Sequence, residues 1–251
     1  MRLPVTPSFR LDGKRAVVTG AGRGIGLAAS AALADAGAEV TLVARTSLEI
    51  DTAAAAIGNR AIASKLDVSD IAAVKGFFAE RPAFHILVNN AGTNRPMPMM
   101  DVSEADYDAV LDLNAKSAFF VAQACVQKMI VEGATGSLIH ISSQMGHVGG
   151  PNRSLYCASK WAMEGMNKAF ALDLAPYGIR SNTIAPTFIE TPLTRPYFEE
   201  AAFKASVLTK IKLGRIGQVE DLMGAVLFLA SEASALMTGT SMLIDGGWTA
   251  D

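Results

Sequence analysis

Tyr156 and Lys160, four residues apart in the run Ser154-Leu155-Tyr156-Cys157-Ala158-Ser159-Lys160, carry the most distinctive chemistry in this chain. On a helix that spacing sets both side chains on one face. An ammonium beside a phenol favours the phenolate, so a group with an ordinary pKa of about 10 moves toward neutrality. Such a phenol can exchange a proton with an alcohol or a ketone. Taken alone, the pair reads first as an ordinary contact on a helix surface. The surrounding motifs decide between the two.

A carbonyl also needs a hydride partner, and a glycine-rich turn supplies a place for one. Residues 15–19 read as a strand that runs into Thr19-Gly20-Ala21-Gly22-Arg23-Gly24-Ile25-Gly26 and then a helix. Glycines let the chain turn sharply, let amides approach a pyrophosphate, and let the helix N-terminus face that anion. The pattern is T-G-x-x-x-G-x-G and not G-x-G-x-x-G, because Ile25 and Leu27 occupy the third-glycine positions. Its place between strand and helix predicts nucleotide binding. The next strand ends Leu42-Val43-Ala44-Arg45-Thr46, with alanine where an NAD site sets a carboxylate on the ribose 2′-hydroxyl. Arg45 and Arg23 suit a 2′-phosphate, so NADP(H) is the expected cofactor and NAD(H) the alternative.

The elements that must position these residues are visible as short apolar runs alternating with alanine-rich helical stretches. Strands are predicted at 15–19, 39–43, 60–63, 85–88, 136–141, 180–184 and 242–244, each continuously apolar as in a parallel sheet covered on both faces. The clearest helices are expected at 25–36, 103–128, 155–174 and 219–229. The alternation predicts an α/β fold, a Rossmann-type doubly wound parallel sheet of about seven strands, as one domain over residues 1–251. The least regular stretch, 189–212, holds Pro192, Pro196 and three aromatics and follows a strand, which suggests a mobile substrate lid.

Composition narrows the functional classes. Half of the 251 residues are hydrophobic and 18% are charged, as in a well-buried globular enzyme. A net charge of −2 offers no basic field for nucleic acid. Cys125 and Cys157 are too few for a disulfide framework or a zinc site, and no cluster suggests a metal. No stretch reads as a signal peptide or approaches the ~20 apolar residues of a membrane span. A cytoplasmic protein without a membrane partner is therefore expected.

With these motifs in order, the chain resembles the short-chain dehydrogenase/reductase family from about residue 11 to residue 250. The resemblance rests on the Thr19–Gly26 loop, Asp67-Val68, Asn89-Asn90-Ala91-Gly92, Asn114, Ile141-Ser142-Ser143, Tyr156 with Lys160, the run from Asn182 to Pro186, and Asp245-Gly246-Gly247. It implies a catalytic set in which Tyr156 is the acid/base and Ser143, thirteen residues before it, bonds the substrate oxygen. Lys160 would hold the nicotinamide ribose and lower the phenol's pKa, and Asn114 would hold a proton-relaying water. Gly20, Arg23, Gly24, Ile25 and Gly26 would cradle the pyrophosphate, with Arg45 at the 2′-phosphate. Asp67 and Val68 are expected around the adenine, Asn90, Ala91 and Gly92 along the ribose, and Pro186, Ile189 and Thr191 at the nicotinamide. The family also implies a homotetramer built on the long helices, whose Ala118, Ala122, Ala162 and Ala169 permit close packing.

Two departures from the family pattern stand out. The segment between Asp67 and Asn89 is short, so its helix should be truncated. The usual proline-glycine after the sixth strand is Pro186-Thr187, as in polyol and sugar enzymes more than acyl-carrier reductases. The substrate is thus expected to be a small alcohol or ketone: a polyol, a sugar or a hydroxy or keto acid. Its pocket should draw on Ser143, Gln144, Asn94, Arg153 and Phe188, with Thr93, Arg95, His147 and Asn152 nearby. A 3-oxoacyl-acyl-carrier-protein reductase is the second reading, though the helix ends near Lys128 and Tyr177 lack docking arginines. A catalytically silent NADP(H)-sensing regulator is the distant third.

Overall fold

The computed structural model describes residue 1 and residues 3–250. In these residues seven parallel strands form one sheet: β1 (Arg15–Thr19), β2 (Glu39–Ala44), β3 (Ala61–Lys65), β4 (Ile86–Asn89), β5 (Gly136–Ile141), β6 (Ile179–Pro186) and β7 (Ser241–Ile244). Their order is β3-β2-β1-β4-β5-β6-β7. The chain winds outward from β1 in one direction and from β4 in the other, so a crevice opens at the carboxyl ends of β1 and β4.

Among the described residues, eight α-helices cover the two faces: α1 (Gly24–Asp35), α2 (Ser47–Ile57), α3 (Ile71–Ala79), α4 (Glu104–Leu111), α5 (Ser117–Val131), α6 (Ser154–Leu174), α7 (Ala201–Lys210) and α8 (Glu220–Ala230). Because strand side chains alternate, neighbours in β1 serve opposite layers. Val18 packs with Leu33 of α1, Ile50 of α2 and Val226 of α8, while Val17 packs with Val74 of α3 and Val121 and Met129 of α5. Each such side chain, taken fully out of water, contributes about 1.5–3 kcal/mol before entropy is counted.

The central strands are continuously buried as expected, but β3 and β7 are half-exposed because they form the two edges. Helix α3 has nine residues, the short helix anticipated between Asp67 and Asn89. The expected helix at 103–128 is interrupted: a π-turn at Asp112–Lys116 joins α4 to α5. The joined run Glu104–Val131 is, by length and composition, long and apolar enough to cross a membrane, at a mean hydropathy of 1.2. That corrects the expectation that no stretch approaches such a span, though α4 packs on α6 and α5 on α3 within this fold. Ala118 and Ala122 face the core, so they offer no outer packing face; on α6, Ala169 is exposed and Ala162 half-buried, with Trp161 and Leu172 exposed beside them.

Candidate active site

The loops that follow β1 to β6 line a single cavity of about 470 Å³. At one end it is built from main chain. Gly20 and Gly24 adopt φ of +63° and +56°, which only glycine enters without strain. A Cβ on Gly26 would collide with the Gly20 carbonyl oxygen and lie 2.6 Å from the Asn90 side-chain nitrogen. That amide donates to the carbonyls of Thr19 (2.9 Å) and Gly20 (3.1 Å), while the Thr19 hydroxyl accepts from the amides of Asn90 and Ala91. The end of β4 thus braces the glycine turn. Arg23, the residue before helix α1, makes no side-chain cap and the first turn holds no acid, which leaves the N-terminal amides and partial positive charge for an anion. A dinucleotide pyrophosphate fits this cradle.

Beyond the cradle stand Arg23 and Arg45, together with a carboxylate, Glu49. Arg23 Nη1 lies 3.2 Å from Glu49 Oε1, and both side chains are substantially exposed. Such a pair contributes at most about 1 kcal/mol and exchanges readily with a stronger anion. At the neighbouring Asp67, burial pushes the carboxyl up, but bonds from the Ser69 hydroxyl (2.7 Å) and amide, with the Arg45 charge, hold it below the ordinary range.

The other end is built from side chains. Helix α6 presents Tyr156 and Lys160, and Ser143 follows β5. Burial raises the Tyr156 pKa, opposed by a hydrogen bond with Ser143 and by the charge of Arg153. Lys160 is buried and its pKa falls to about 8, with Glu164 pulling the other way. Its ammonium donates to the Ile141 carbonyl at 2.8 Å and sits 5.6 Å from the centre of the Tyr156 ring. The expected lowering of the phenol's pKa is therefore not what this structure has: burial outweighs it, and the lysine's hydrogen bond goes to β5. Asn114, fully buried in the π-turn, donates to the Thr93 carbonyl (2.8 Å) and Ser159 Oγ (3.0 Å) and accepts from the Thr93 amide (2.8 Å). It ties α6 to the β4 loop. An aromatic wall backs this end: Phe188, on the lining, meets Phe198 and Phe203 edge to face and Trp248 at a tilt.

The chain matches the family described as enoyl-(acyl carrier protein) reductase over residues 20–249. It is 33% identical over 243 residues to D-erythrulose reductase of Gallus gallus, covering 96% of this chain and 98% of that protein. It is 37% identical over 246 residues to the 3-oxoacyl-acyl-carrier-protein reductase of Thermotoga maritima, covering 95% and 99%. A crystal structure of a gluconate 5-dehydrogenase from Burkholderia cenocepacia, in complex with NADP and tartrate, superposes with a TM-score of 0.93 at 38% identity, covering 97% and 98%. This chain belongs to the short-chain dehydrogenase/reductase family.

In this short-chain dehydrogenase/reductase, most of the anticipated positions meet in one cavity. Gly20, Arg23, Gly24, Ile25, Arg45, Asp67, Val68, Asn90, Ala91 and Gly92 line its cradle half, and Pro186, Ile189 and Thr191 lie beyond them. Ser143, Gln144, Asn94, Arg153 and Phe188 line the half around Tyr156 and Lys160. Gly26 and Asn114 stand behind the wall as a spacer and a brace. Arg95 does not reach the cavity, because Asp106 holds it at 2.7 Å. His147 turns toward Ser241 Oγ (2.8 Å) and Glu164 (3.5 Å), and Asn152 occupies an exposed turn at φ +59°.

Sequence reasoning missed Glu49 and Tyr197, which also line the cavity. Glu49 sets a carboxylate beside Arg23, where the sequence showed only the two arginines. It sits in the first turn of α2, which folds over the loop where Gly22 has no side chain; a Cβ there would lie 2.8 Å from that of Glu49. The stretch 189–212 is more regular than expected, with a turn at Arg195–Glu199 and helix α7. Among the described residues no group of three or more His, Cys, Asp or Glu could hold a metal.

Proposed function

We propose that this protein is an NADP(H)-preferring oxidoreductase that interconverts a secondary alcohol and a ketone on a small polyol, sugar or hydroxy/keto acid. The observation that carries this reading is one cavity with a glycine-built anion cradle at one end and Tyr156, Ser143 and Lys160 at the other. A bound nicotinamide supplies or accepts the hydride at the Tyr156 end. In reduction, Tyr156 gives its phenolic proton to the carbonyl oxygen, so that no bare alkoxide forms in a partly dry site. Ser143 donates a hydrogen bond to the same oxygen and holds the carbonyl against the phenol. Oxidation needs the phenolate, which the Ser143 hydrogen bond and the charge of Arg153 favour against burial. Asn114 keeps α6 in register with the β4 loop, and the stretch 189–212 acts as a closing lid.

The NADP preference is supported by Arg23 and Arg45 and by the NADP carried in the Burkholderia structure. The sugar reading is supported by the names of the chicken and Burkholderia relatives. A 3-oxoacyl-acyl-carrier-protein reductase is the second reading, favoured by the aromatic wall and the Thermotoga relative. Against it, Lys128, the cation nearest one expected docking surface, is engaged by Glu132 at 3.0 Å. A cytoplasmic homotetramer completes the proposal, with the exposed Trp161 and Leu172 on α6 as the surface to be covered; light scattering checks it.

The deciding experiment is a screen of ketoses, polyols, keto acids and acyl thioesters against both cofactors, followed at the nicotinamide absorbance. The expected result is turnover of a sugar-type or acid substrate with a higher kcat/KM for NADP(H) than for NAD(H). A higher kcat/KM with NAD(H) would overturn the arginine argument. Tight NADP(H) binding with no turnover in any class would make the protein a sensor.

A further inference from the structure

Arg153, the residue before α6, is a buried guanidinium without an acid. Only 9% of it is exposed. Its charged end lies 5.7 Å from the ring centre of Phe188 and 5.6 Å from that of Tyr197. Among the described residues it makes no ion pair, and no side chain accepts a hydrogen bond from it. Aromatic faces stabilise such a cation only in part, and a buried charge left so is costly unless an anion joins it. The carboxylates that line the cavity, Glu49 and Asp67, both lie at the cradle end, engaged by Arg23 and Ser69. The reacting end therefore holds two cations, Arg153 and Lys160, and no lining acid. Lys160 is tied to the Ile141 carbonyl, which leaves Arg153 to meet a ligand.

We infer that Arg153 anchors a carboxylate on the substrate, so that the substrate class is a short hydroxy acid and its keto acid, not a neutral polyol or an acyl thioester. This rests on the proposed alcohol–ketone chemistry at Tyr156. The guanidinium's planar fork matches a carboxylate through two parallel bonds. Arg153 also acts electrostatically on Tyr156, so an anion held there lies close to the reacting phenol. The group to be oxidised or reduced then sits a few bonds from the acid. The aromatic wall of Phe188 and Tyr197 covers the carbon chain between them.

The test pairs each keto acid with its primary amide, which has the same shape and no charge, using the full-length protein and NADPH. Wild type should favour the acid in kcat/KM by about ten- to hundredfold. Arg153→Gln should collapse that ratio toward one, and Arg153→Lys should restore part of it. Calorimetry provides a readout free of turnover: tartrate should bind wild type with NADP present and lose at least tenfold in Arg153→Gln, while threitol binding stays unchanged. NADPH affinity equal to wild type reports that the variant is folded. Equal use of acid and amide by wild type, preference for a sugar phosphate, or an equal loss on both partners in Arg153→Gln would each overturn the anchor. Tartrate binding that depends on Arg153 without turnover of any carbonyl would keep the anchor and sink the proposed reaction instead.

Discussion

At the Arg45 end of the cavity the backbone does the work: Gly20 and Gly24 bend it, Gly26 clears space for it, and the amides of α1 face outward. At the Tyr156 end, side chains from α6, from the loop after β5 and from the stretch after β6 converge, and the main chain mostly supports them. The first kind of site tolerates few residues and suits one kind of ligand, a diphosphate. The second changes with every exchanged side chain. A common cofactor and a variable substrate are what such a division of labour produces.

Breaking the side-chain end at its centre should have the largest effect. Tyr156→Phe removes the proton donor and should cut kcat by about a thousandfold or more while NADPH affinity stays within a few-fold; retention of over a tenth of wild-type turnover would refute the assignment. The matching attack on the backbone end is Gly26→Val, whose side chain would meet the Gly20 carbonyl and the Asn90 amide. It should lower stability by about 1–3 kcal/mol, read as a fall in Tm, and weaken NADPH in calorimetry. An unchanged Tm and affinity would show that the cradle can shift aside.

Arg45→Ala sharpens the comparison at the cofactor's far edge. It should lower kcat/KM with NADPH by about tenfold or more and leave NADH nearly untouched, since the lost partner is a charged phosphate. An equal loss with both cofactors would deny Arg45 that role. The pH profile should be the gentlest probe. Because burial raises the Tyr156 pKa, the phenol stays protonated at neutral pH, so reduction should be level there and decline only in the alkaline range. Oxidation, which needs the phenolate, should climb by up to about tenfold per pH unit over the same range. Lys160 adds a stability effect of definite sign. Its pKa of about 8 lies below the unfolded 10.5, so the unfolded chain binds more protons and stability should rise with pH across that window. A bell with its maximum below neutrality in both directions would contradict the tyrosine assignment.

Much of this was readable from local spacing. The bounds of β1 and β5 coincide with their apolar runs, because central strands bury both faces. Helix α2 was not, since only Ile50 and Ala53 of its eleven residues are buried and its alanines carry little pattern. Helix α7 hides in a proline- and aromatic-rich stretch for the same reason, with Val207 its only buried residue. The π-turn at Asn114 left no mark in the sequence beyond the asparagine itself: an extra residue in a helical turn changes no periodicity strongly, yet it sends that side chain to Thr93 and Ser159.

By itself, the sequence determined the parallel sheet, the anion-binding turn and the shared face of Tyr156 and Lys160. Each depends on neighbours within a few positions, where backbone sterics and helix pitch leave little choice. Only the tertiary structure decided that Glu49 meets Arg23, that Lys160 bonds β5 and not the phenol, and that Arg153 lies among rings with no acid in reach. Those outcomes depend on which loops, distant in the chain, close over one another. Burial and electrostatics are sums over everything that arrives, and no single stretch of sequence contains the sum.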